Sequence, residues 1–126
     1  MMNIEIIKTT NPKKKPEGAL GFGKYFTDHM FTMEYKDGKW QNPQIRPYEN
    51  FSLPPSCSVL HYGQGVFEGA KAYKNEKGEV RTFRLSENIE RMAQSCERVS
   101  IPEFDKDFCL NALEELIKID SDWIPT

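Results

Sequence analysis

The chain has 126 residues, 38% of them hydrophobic, a mean hydropathy of −0.65 and a formal net charge of −2. This length suits one domain with a single core. The charge gives no field for nucleic acid, and the sequence has neither a long apolar run for a membrane span nor an apolar signal peptide. Cys57, Cys96 and Cys109 are odd in number and widely spaced, which argues against a disulfide framework and favours a reducing cytoplasm.

Residues 1–20 are polar and contain prolines, so we expect them to form a poorly structured leader. Within this stretch lies a basic run, Lys13–Lys15, between Pro12 and Pro16. Short charge clusters of this kind are more often solvated linkers than binding patches, and we interpret the run as a linker.

The next segment predicts a β-hairpin. From Lys24 to Tyr35 apolar side chains alternate with more polar neighbours, and a period of two is typical of a strand. Asp37-Gly38 is a tight-turn signal, after which a second strand begins at Trp40. Prolines at positions 43, 47, 54 and 55 then predict an irregular loop that reaches Leu60.

Another hairpin and two helices are predicted in the remaining sequence. AKAYKN and EVRTFRL flank a turn at 76–78 and read as strands. Ser86 is a predicted N-cap for the first helix, which carries an apolar stripe and ends at Pro102. The second helix is predicted from about Asp105 to Ile119. Its predicted buried residues are Cys109, Leu113, Leu116 and Ile117. Hairpins followed by helices predict an α+β fold, an antiparallel sheet with helices packed on one face.

The densest group of unusual residues is LHYGQGVFEGAKAY, residues 60–73, which we call the glycine segment. It combines the rings of Tyr62 and Phe67 with three glycines. Because glycine lets a ligand approach the backbone closely, rings beside glycines are typical of a pocket wall, and we predict the chemistry here. The glycine pattern is one residue off the dinucleotide fingerprint and lacks its βαβ context, so nicotinamide binding is not predicted.

A few polar residues elsewhere are weaker candidates. Cys57 and His61 could be metal ligands or a thiol–imidazole pair, but no further ligand stands at a recognisable spacing, so no metal site is predicted. His29 lies in the first predicted strand, and we interpret it as a structural histidine. Asp28 beside it has no role that the sequence assigns.

Successive blocks of the sequence resemble the branched-chain amino acid aminotransferases, the fold-type IV enzymes that use pyridoxal phosphate. These blocks are GFGKYFTDHMFTMEY (21–35), IRPYENFSLPP (45–55), LHYGQGVFEG (60–69), FRLSENIERMAQS (83–95), RVSIP (98–102) and DWIP (122–125). They run in the family's order from about Gly21 to the last residue. The TDHMFTMEY and DWIP blocks favour the branched-chain group over D-amino-acid aminotransferases and aminodeoxychorismate lyases, which stay open as alternatives.

The resemblance implies that residues 21–126 form the amino-terminal small domain of a two-domain aminotransferase. In the family the lysine that binds the cofactor covalently lies in a carboxy-terminal domain, which this sequence lacks. Lys24 and Lys71 lie in recognisable blocks but not at that position. The complete enzyme would move the amino group of leucine, isoleucine or valine to 2-oxoglutarate. We expect no catalytic residue in this stretch and no activity from the isolated chain.

Arg91 is the cofactor-binding residue that the resemblance implies, because the arginine of the family's matching block contacts the cofactor's phosphate. A guanidinium offers a fixed charge and a bidentate fork that suits phosphate oxygens. Spacing alone leaves another interpretation open, a surface arginine paired with Glu87 four residues earlier.

Phe22, Tyr62 and Phe67 match the family's substrate-pocket aromatics. An apolar pocket suits the side chains of branched-chain amino acids and discriminates among them by about 1–3 kcal/mol per methylene. Without the resemblance, ordinary core packing is the alternative for all three rings.

The resemblance also implies a homodimer that binds an amino acid and a 2-oxo acid, while the cysteines predict a cytoplasmic protein and the charge and hydropathy predict no nucleic acid or membrane partner. Removing the second domain would uncover the face with Tyr62, Phe67 and Trp123, and an exposed apolar patch favours self-association. A free-standing module that acts by association therefore remains the alternative from another functional class. Preference among leucine, isoleucine and valine cannot be read from these residues.

Overall fold

The computed structural model describes residues 2–126. In chain order the strands are β1 (Glu5–Ile6), β2 (His29–Lys36), β3 (Lys39–Pro47), β4 (Ala72–Lys74) and β5 (Val80–Thr82). The helices are α1 (Ser58–Tyr62), α2 (Leu85–Arg98) and α3 (Lys106–Ile119), and a 3-10 turn follows at Ser121–Trp123. The strands form a sheet in the order β1-β3-β2 and a separate β4-β5 pair. The α+β class is confirmed, with two small sheets in place of one.

Both predicted hairpins are present. β2 and β3 are antiparallel, and their two turn residues, Asp37 and Gly38, have φ of 53° and 77°. Positive φ at both central residues is typical of the tight turns that join twisted strands. β4 and β5 are antiparallel as well, and Gly78 in their turn has φ of 79°.

The loop predicted from the prolines begins later than expected, because β3 continues through Pro43 to Pro47. The pairing register shifts between Thr32 and Glu34 of β2, so that β3 holds an extra residue at this point. Asn42 there has φ of 56°. A bulge leaves one residue outside the hydrogen-bond ladder, and a proline can therefore be accommodated without a missing ladder bond.

The expectation of a poorly structured leader is corrected by the contacts of its described residues. β1 pairs in parallel with β3, and the backbone N–H of Ile7 donates to the carbonyl of Ile45 at 2.8 Å. Further along, the N–H of Thr9 donates to Nε2 of His29 at 2.9 Å. Ile45 is fully buried, so this edge of the sheet is closed by the leader.

Lys13 fixes the leader at a second place, which corrects its interpretation as a solvated linker residue. Its Nζ donates to the carbonyl oxygens of Phe26 and Thr27 at 2.8 and 2.7 Å. Because these carbonyls are engaged by Lys13, they do not pair with a neighbouring strand. β2 begins at His29, which pairs with Pro47, the last residue of β3.

The two predicted helices are present, with one error at a cap. α3 begins next to Asp105, as predicted, and the Asp105 side chain caps it by accepting from the N–H of Phe108 at 2.9 Å. α2 begins at Leu85, one position before the predicted N-cap Ser86, and Leu85 is buried in its first turn. Arg84 precedes the helix with φ of 49°.

The core lies where α2 packs on α3 and α3 packs on β2. Ile89, Cys96 and Phe104 form its centre, with half-buried apolar side chains around them. On α3 the buried residues are Phe108 and Ala112, whereas the four that were predicted are only half-buried. The buried face of α3 is therefore rotated around the helix axis relative to the face that was predicted.

Among residues 2–126, no helix combines the length and the apolar character that crossing a membrane requires.

Candidate functional site

The glycine segment begins with a short helix that the sequence did not predict. α1 runs from Ser58 to Tyr62, and Gly63 ends it in the left-handed conformation with φ of 61°. Glycine is the usual residue at this position because it has no Cβ to clash. From Gly63 the chain runs as a loop to β4.

The three predicted pocket aromatics are on the surface. Tyr62 is 86% exposed, Phe67 is 92% exposed and Phe22 is fully exposed. Core packing, the alternative explanation for these rings, is therefore wrong. Large exposed apolar side chains of this kind mark a binding or docking surface when they lie together, but scattered singly they need no explanation.

Two side chains of the glycine segment, Gln64 and Glu68, attach it to α2 and to the residues that directly follow α2. At one end Gln64 donates from Nε2 to the carbonyl oxygens of Val99 and Ser100, at 2.9 and 3.2 Å. At the other end Glu68 accepts from Nδ2 of Asn88 at 3.1 Å, and Asn88 also donates to the carbonyl of Gly69 at 2.9 Å. The segment is thus held along the length of the helix.

Arg91 completes this attachment. Its Nε donates to Oε2 of Glu68 at 2.7 Å and its Nη2 donates to Oε1 of the same carboxylate. The predicted alternative partner, Glu87, lies 3.3 Å from Arg84 instead. The side chain of Arg91 is 66% exposed, whereas that of Glu68 is only 11% exposed.

The charges of this pair are firmly fixed. The hydrogen bonds from Arg91 and Asn88 lower the pKa of Glu68 to about 2 from an ordinary value of 4.5. The hydrogen bond to Glu68 raises the pKa of Arg91 above its ordinary value. Both groups are therefore ionised throughout the physiological pH range.

Arg91 lines a shallow surface hollow together with Phe83, Arg84, Glu87 and Asn88. Two guanidinium groups therefore border it. None of the three predicted pocket aromatics lines this hollow, so the described residues do not bring Arg91 and the rings into one cavity.

Glu68, Asn88 and Gln64 contribute to the site but were not predicted from the sequence. Asn88 stands three positions before Arg91, which places both side chains on one face of a helix. That spacing was a usable signal. A glutamate beside an apolar ring in a glycine-rich loop gives no comparable signal, because its partner is 23 residues away.

Outside the glycine segment, His29 is the structural histidine that was predicted. Its Nε2 accepts from the N–H of Thr9, so the ring proton is on Nδ1, which donates to Oδ1 of Asp120 at 2.7 Å. The backbone N–H of His29 donates to Oδ2 of the same carboxylate at 3.0 Å. His29 and Asp120 are both buried.

Asp28, which had no assigned role, connects three parts of the chain. Its Oδ1 accepts from the N–H of Lys13 at 2.9 Å and its Oδ2 accepts from Nε1 of Trp123 at 3.2 Å. Burial raises the pKa of Asp28, but the hydrogen bonds from Lys13 and Trp123 outweigh it and leave the pKa lowered. Asp28 is therefore a structural anchor for the leader and the last turn.

Cys57 and His61 do not form a site with each other. Cys57 is a free thiol and the ring of His61 contacts the carbonyl of Pro55. Within residues 2–126, no group of three or more histidine, cysteine or acidic side chains could hold a metal ion.

No protein-family model matches the chain. Among curated relatives, branched-chain-amino-acid transaminase 1 of Bacillus subtilis (strain 168) is 50% identical over 97% of this chain and 35% of its own length. Branched-chain-amino-acid aminotransferase 2 of the same organism is 46% identical over 98% of this chain and 34% of its own length. The mitochondrial branched-chain-amino-acid aminotransferase of Mus musculus is 44% identical over 98% of this chain and 32% of its own length.

The chain spans about a third of the length of the curated relatives it matches, and it corresponds to their amino-terminal part. The resemblance expected from the sequence blocks is confirmed at 42–50% identity along nearly the whole chain. Over the stretch that it spans, the chain is therefore similar to branched-chain-amino-acid aminotransferases.

Proposed function

We propose that this chain is the amino-terminal domain of an enzyme that transfers the amino group of leucine, isoleucine or valine to 2-oxoglutarate. The observation that carries the proposal is the similarity of nearly the whole chain to relatives named for branched-chain amino acid transamination. The domain would comprise residues 21–126, with residues 1–20 as its leader.

Pyridoxal phosphate is the cofactor that we propose, and Arg91 fits its phosphate group. Among the described residues, the guanidinium is hydrogen-bonded to Glu68 alone, through Nε and Nη2. With 66% of the side chain exposed, its remaining N–H groups can donate to phosphate oxygens. When bound, the cofactor supplies an electron sink, and the contribution of this chain is to hold and orient its phosphate end.

Phe22, Tyr62 and Phe67 are the proposed contacts for the branched side chain of the substrate. Their exposure supports this role, because a ring used for binding must be reachable before the ligand arrives. A second domain, which the family resemblance implies, would cover these rings and exclude water from the site. The tyrosine hydroxyl of Tyr62 could then contact the cofactor or the substrate carboxylate.

No lysine of the 126 residues matches the family's cofactor lysine, so the polypeptide by itself is expected to have no transaminase activity. Turnover of leucine by the purified chain would contradict this part of the proposal. Lys24 and Lys71, the two lysines in recognisable blocks, are assigned no catalytic role.

We also propose a cytoplasmic homodimer. Free thiols support a reducing compartment, although one relative is named mitochondrial. Exposed large apolar side chains on the glycine segment support self-association. Sedimentation of the purified chain tests the assembly, and a sharp monomer at high concentration would contradict it.

The phosphate role of Arg91 is tested with pyridoxine 5′-phosphate and pyridoxine, which lack the aldehyde and so cannot react with surface lysines. Arg91→Ala is expected to weaken binding of the phosphate compound at least about tenfold and to leave pyridoxine unchanged, since a charge-assisted phosphate contact is lost. Arg81→Ala is the matched control, because Arg81 is also exposed and also paired with a glutamate. Equal affinity of the Arg91 variant and the unsubstituted chain for pyridoxine phosphate would contradict the proposal.

A further inference from the structure

The carboxylate of Glu68 accepts several hydrogen bonds, although the residue lies on a surface loop. Its carboxylate receives Nε and Nη2 of Arg91, Nδ2 of Asn88 and the backbone N–H of Gly69. Although the loop around it is open, the side chain is only 11% exposed. The carboxylate therefore lies between the glycine segment and α2 and joins them.

As a result, the guanidinium group of Arg91 is held in one orientation, although the alkyl chain that carries it is flexible. An arginine side chain loses rotamer freedom when it binds a ligand, and that loss opposes binding. Because the bidentate contact with Glu68 already restricts the guanidinium, less freedom remains to be lost when an anion arrives. The two hydrogen bonds also determine which N–H groups remain available.

We propose that Glu68 is a positioning residue, which holds the guanidinium of Arg91 in the orientation that receives a phosphate group. This inference rests on the proposed phosphate role of Arg91. It adds that the acidic residue of the glycine segment improves anion binding, although its own charge repels anions.

The sign of the effect separates this role from its opposite. A carboxylate that merely neutralises Arg91 competes with phosphate, so its removal would strengthen binding. A carboxylate that positions Arg91 has the reverse effect, and its removal weakens binding even though the site becomes more positive. Only the second outcome agrees with the inference.

The experiment measures the affinity of the full 126-residue chain for pyridoxine 5′-phosphate and for pyridoxine by calorimetry. Glu68→Ala is expected to weaken binding of the phosphate compound about three- to tenfold, with pyridoxine unchanged. Glu68→Asp keeps the charge but shortens the side chain, and it is expected to weaken binding as well. Glu79→Ala is the control, since Glu79 is also a surface glutamate hydrogen-bonded to an arginine and an asparagine.

A second readout follows the Arg91 side chain directly. The Nε–H proton of Arg91 is expected to give a slowly exchanging NMR signal in the unsubstituted chain, because it is hydrogen-bonded to Oε2 of Glu68. In Glu68→Ala this signal should exchange rapidly, while the backbone amide signals of α2 keep their positions. Shifts throughout α2 would show that Glu68 maintains the helix and not the guanidinium, and would overturn the inference.

The outcomes also distinguish this inference from the proposed function. If Arg91→Ala weakens binding of pyridoxine phosphate and Glu68→Ala leaves it unchanged or tighter, the positioning role is wrong and the phosphate role stands. If the unsubstituted chain does not prefer pyridoxine phosphate over pyridoxine, both are contradicted. Weakening by Arg91→Ala, Glu68→Ala and Glu68→Asp, with no effect of Glu79→Ala, supports both.

Discussion

The region around His29 and Asp120 buries these two polar residues, whereas Tyr62 and Phe67 on the glycine segment, and Arg91 bonded to that segment, are exposed. At the buried end, carboxylates accept from backbone N–H groups and from ring nitrogens that lie far away in the sequence. On the exposed face, one ion pair joins a loop to a helix. We call these regions the anchored end and the open face.

Buried hydrogen bonds and exposed ion pairs contribute differently to the stability of the fold. A buried polar group that loses its partner leaves another group unsatisfied without water, so the anchored end supports the fold. An exposed ion pair contributes little to stability because water screens it. The open face is therefore better explained by what it presents to a ligand than by what it contributes to folding.

The largest expected effect compares a phenylalanine of the core with one of the open face. Phe108 is 2% exposed in the core, and Phe108→Ala is expected to lower the free energy of unfolding by about 3–5 kcal/mol because it removes buried surface and leaves a cavity. Phe67→Ala on the open face should change it by less than about 0.5 kcal/mol. Urea unfolding followed by circular dichroism measures both, and equal losses would remove the distinction between the regions.

The next effect concerns the aspartates of the anchored end. Asp120→Ala would leave the backbone N–H and the Nδ1–H of His29 buried without an acceptor, and we expect a loss of about 1–3 kcal/mol in the free energy of unfolding. Asp122→Ala is the matched control, because Asp122 is 82% exposed and only pairs with Lys15. Thermal unfolding of the two variants would contradict the expectation if their midpoints agree.

A smaller effect is expected at the glycines of the open face. Gly63 has φ of 61°, so Gly63→Ala should cost about 1 kcal/mol through left-handed strain, even though no atom lies within 4 Å of the added Cβ. Gly69 has equally open space but no positive φ, and Gly69→Ala should be nearly neutral. Chemical unfolding of both variants separates backbone strain from steric contact, and similar losses would argue against strain.

The smallest effect is the acid dependence of the Glu68–Arg91 pair. Because the pKa of Glu68 is lowered to about 2 in the folded chain, its contribution is complete above pH 4.5 and is lost as the pH falls from 4.5 towards 2. The NMR shift of its carboxyl carbon should therefore titrate near pH 2, and Arg91→Ala should raise that midpoint. If the carboxyl group of Glu68 titrates near pH 4.5 in the unsubstituted chain, the ion pair does not form in solution.

Much of the fold could be predicted from local sequence. The Asp37-Gly38 turn, the cap at Asp105 and the length of α3 follow from backbone preferences that act within a few residues. β1 and the contacts of Lys13 could not be predicted, because their partners lie 13 to 39 residues away. No local hydrophobic periodicity indicates these contacts either. Pro43 in β3 was mispredicted for a related reason, since a bulge is created by the pairing of two strands.

The candidate site divides in the same way. The sequence by itself showed the similarity to branched-chain-amino-acid aminotransferases along nearly the whole chain, and it selected Arg91 and the rings of Phe22, Tyr62 and Phe67 as residues of interest. Only the tertiary structure decided that those rings are exposed, that Arg91 is paired with Glu68 and not with Glu87, and that Asp28 is an anchor. The physical reason is that residue type and spacing fix local chemistry, whereas exposure and pairing depend on which distant segments meet when the core forms.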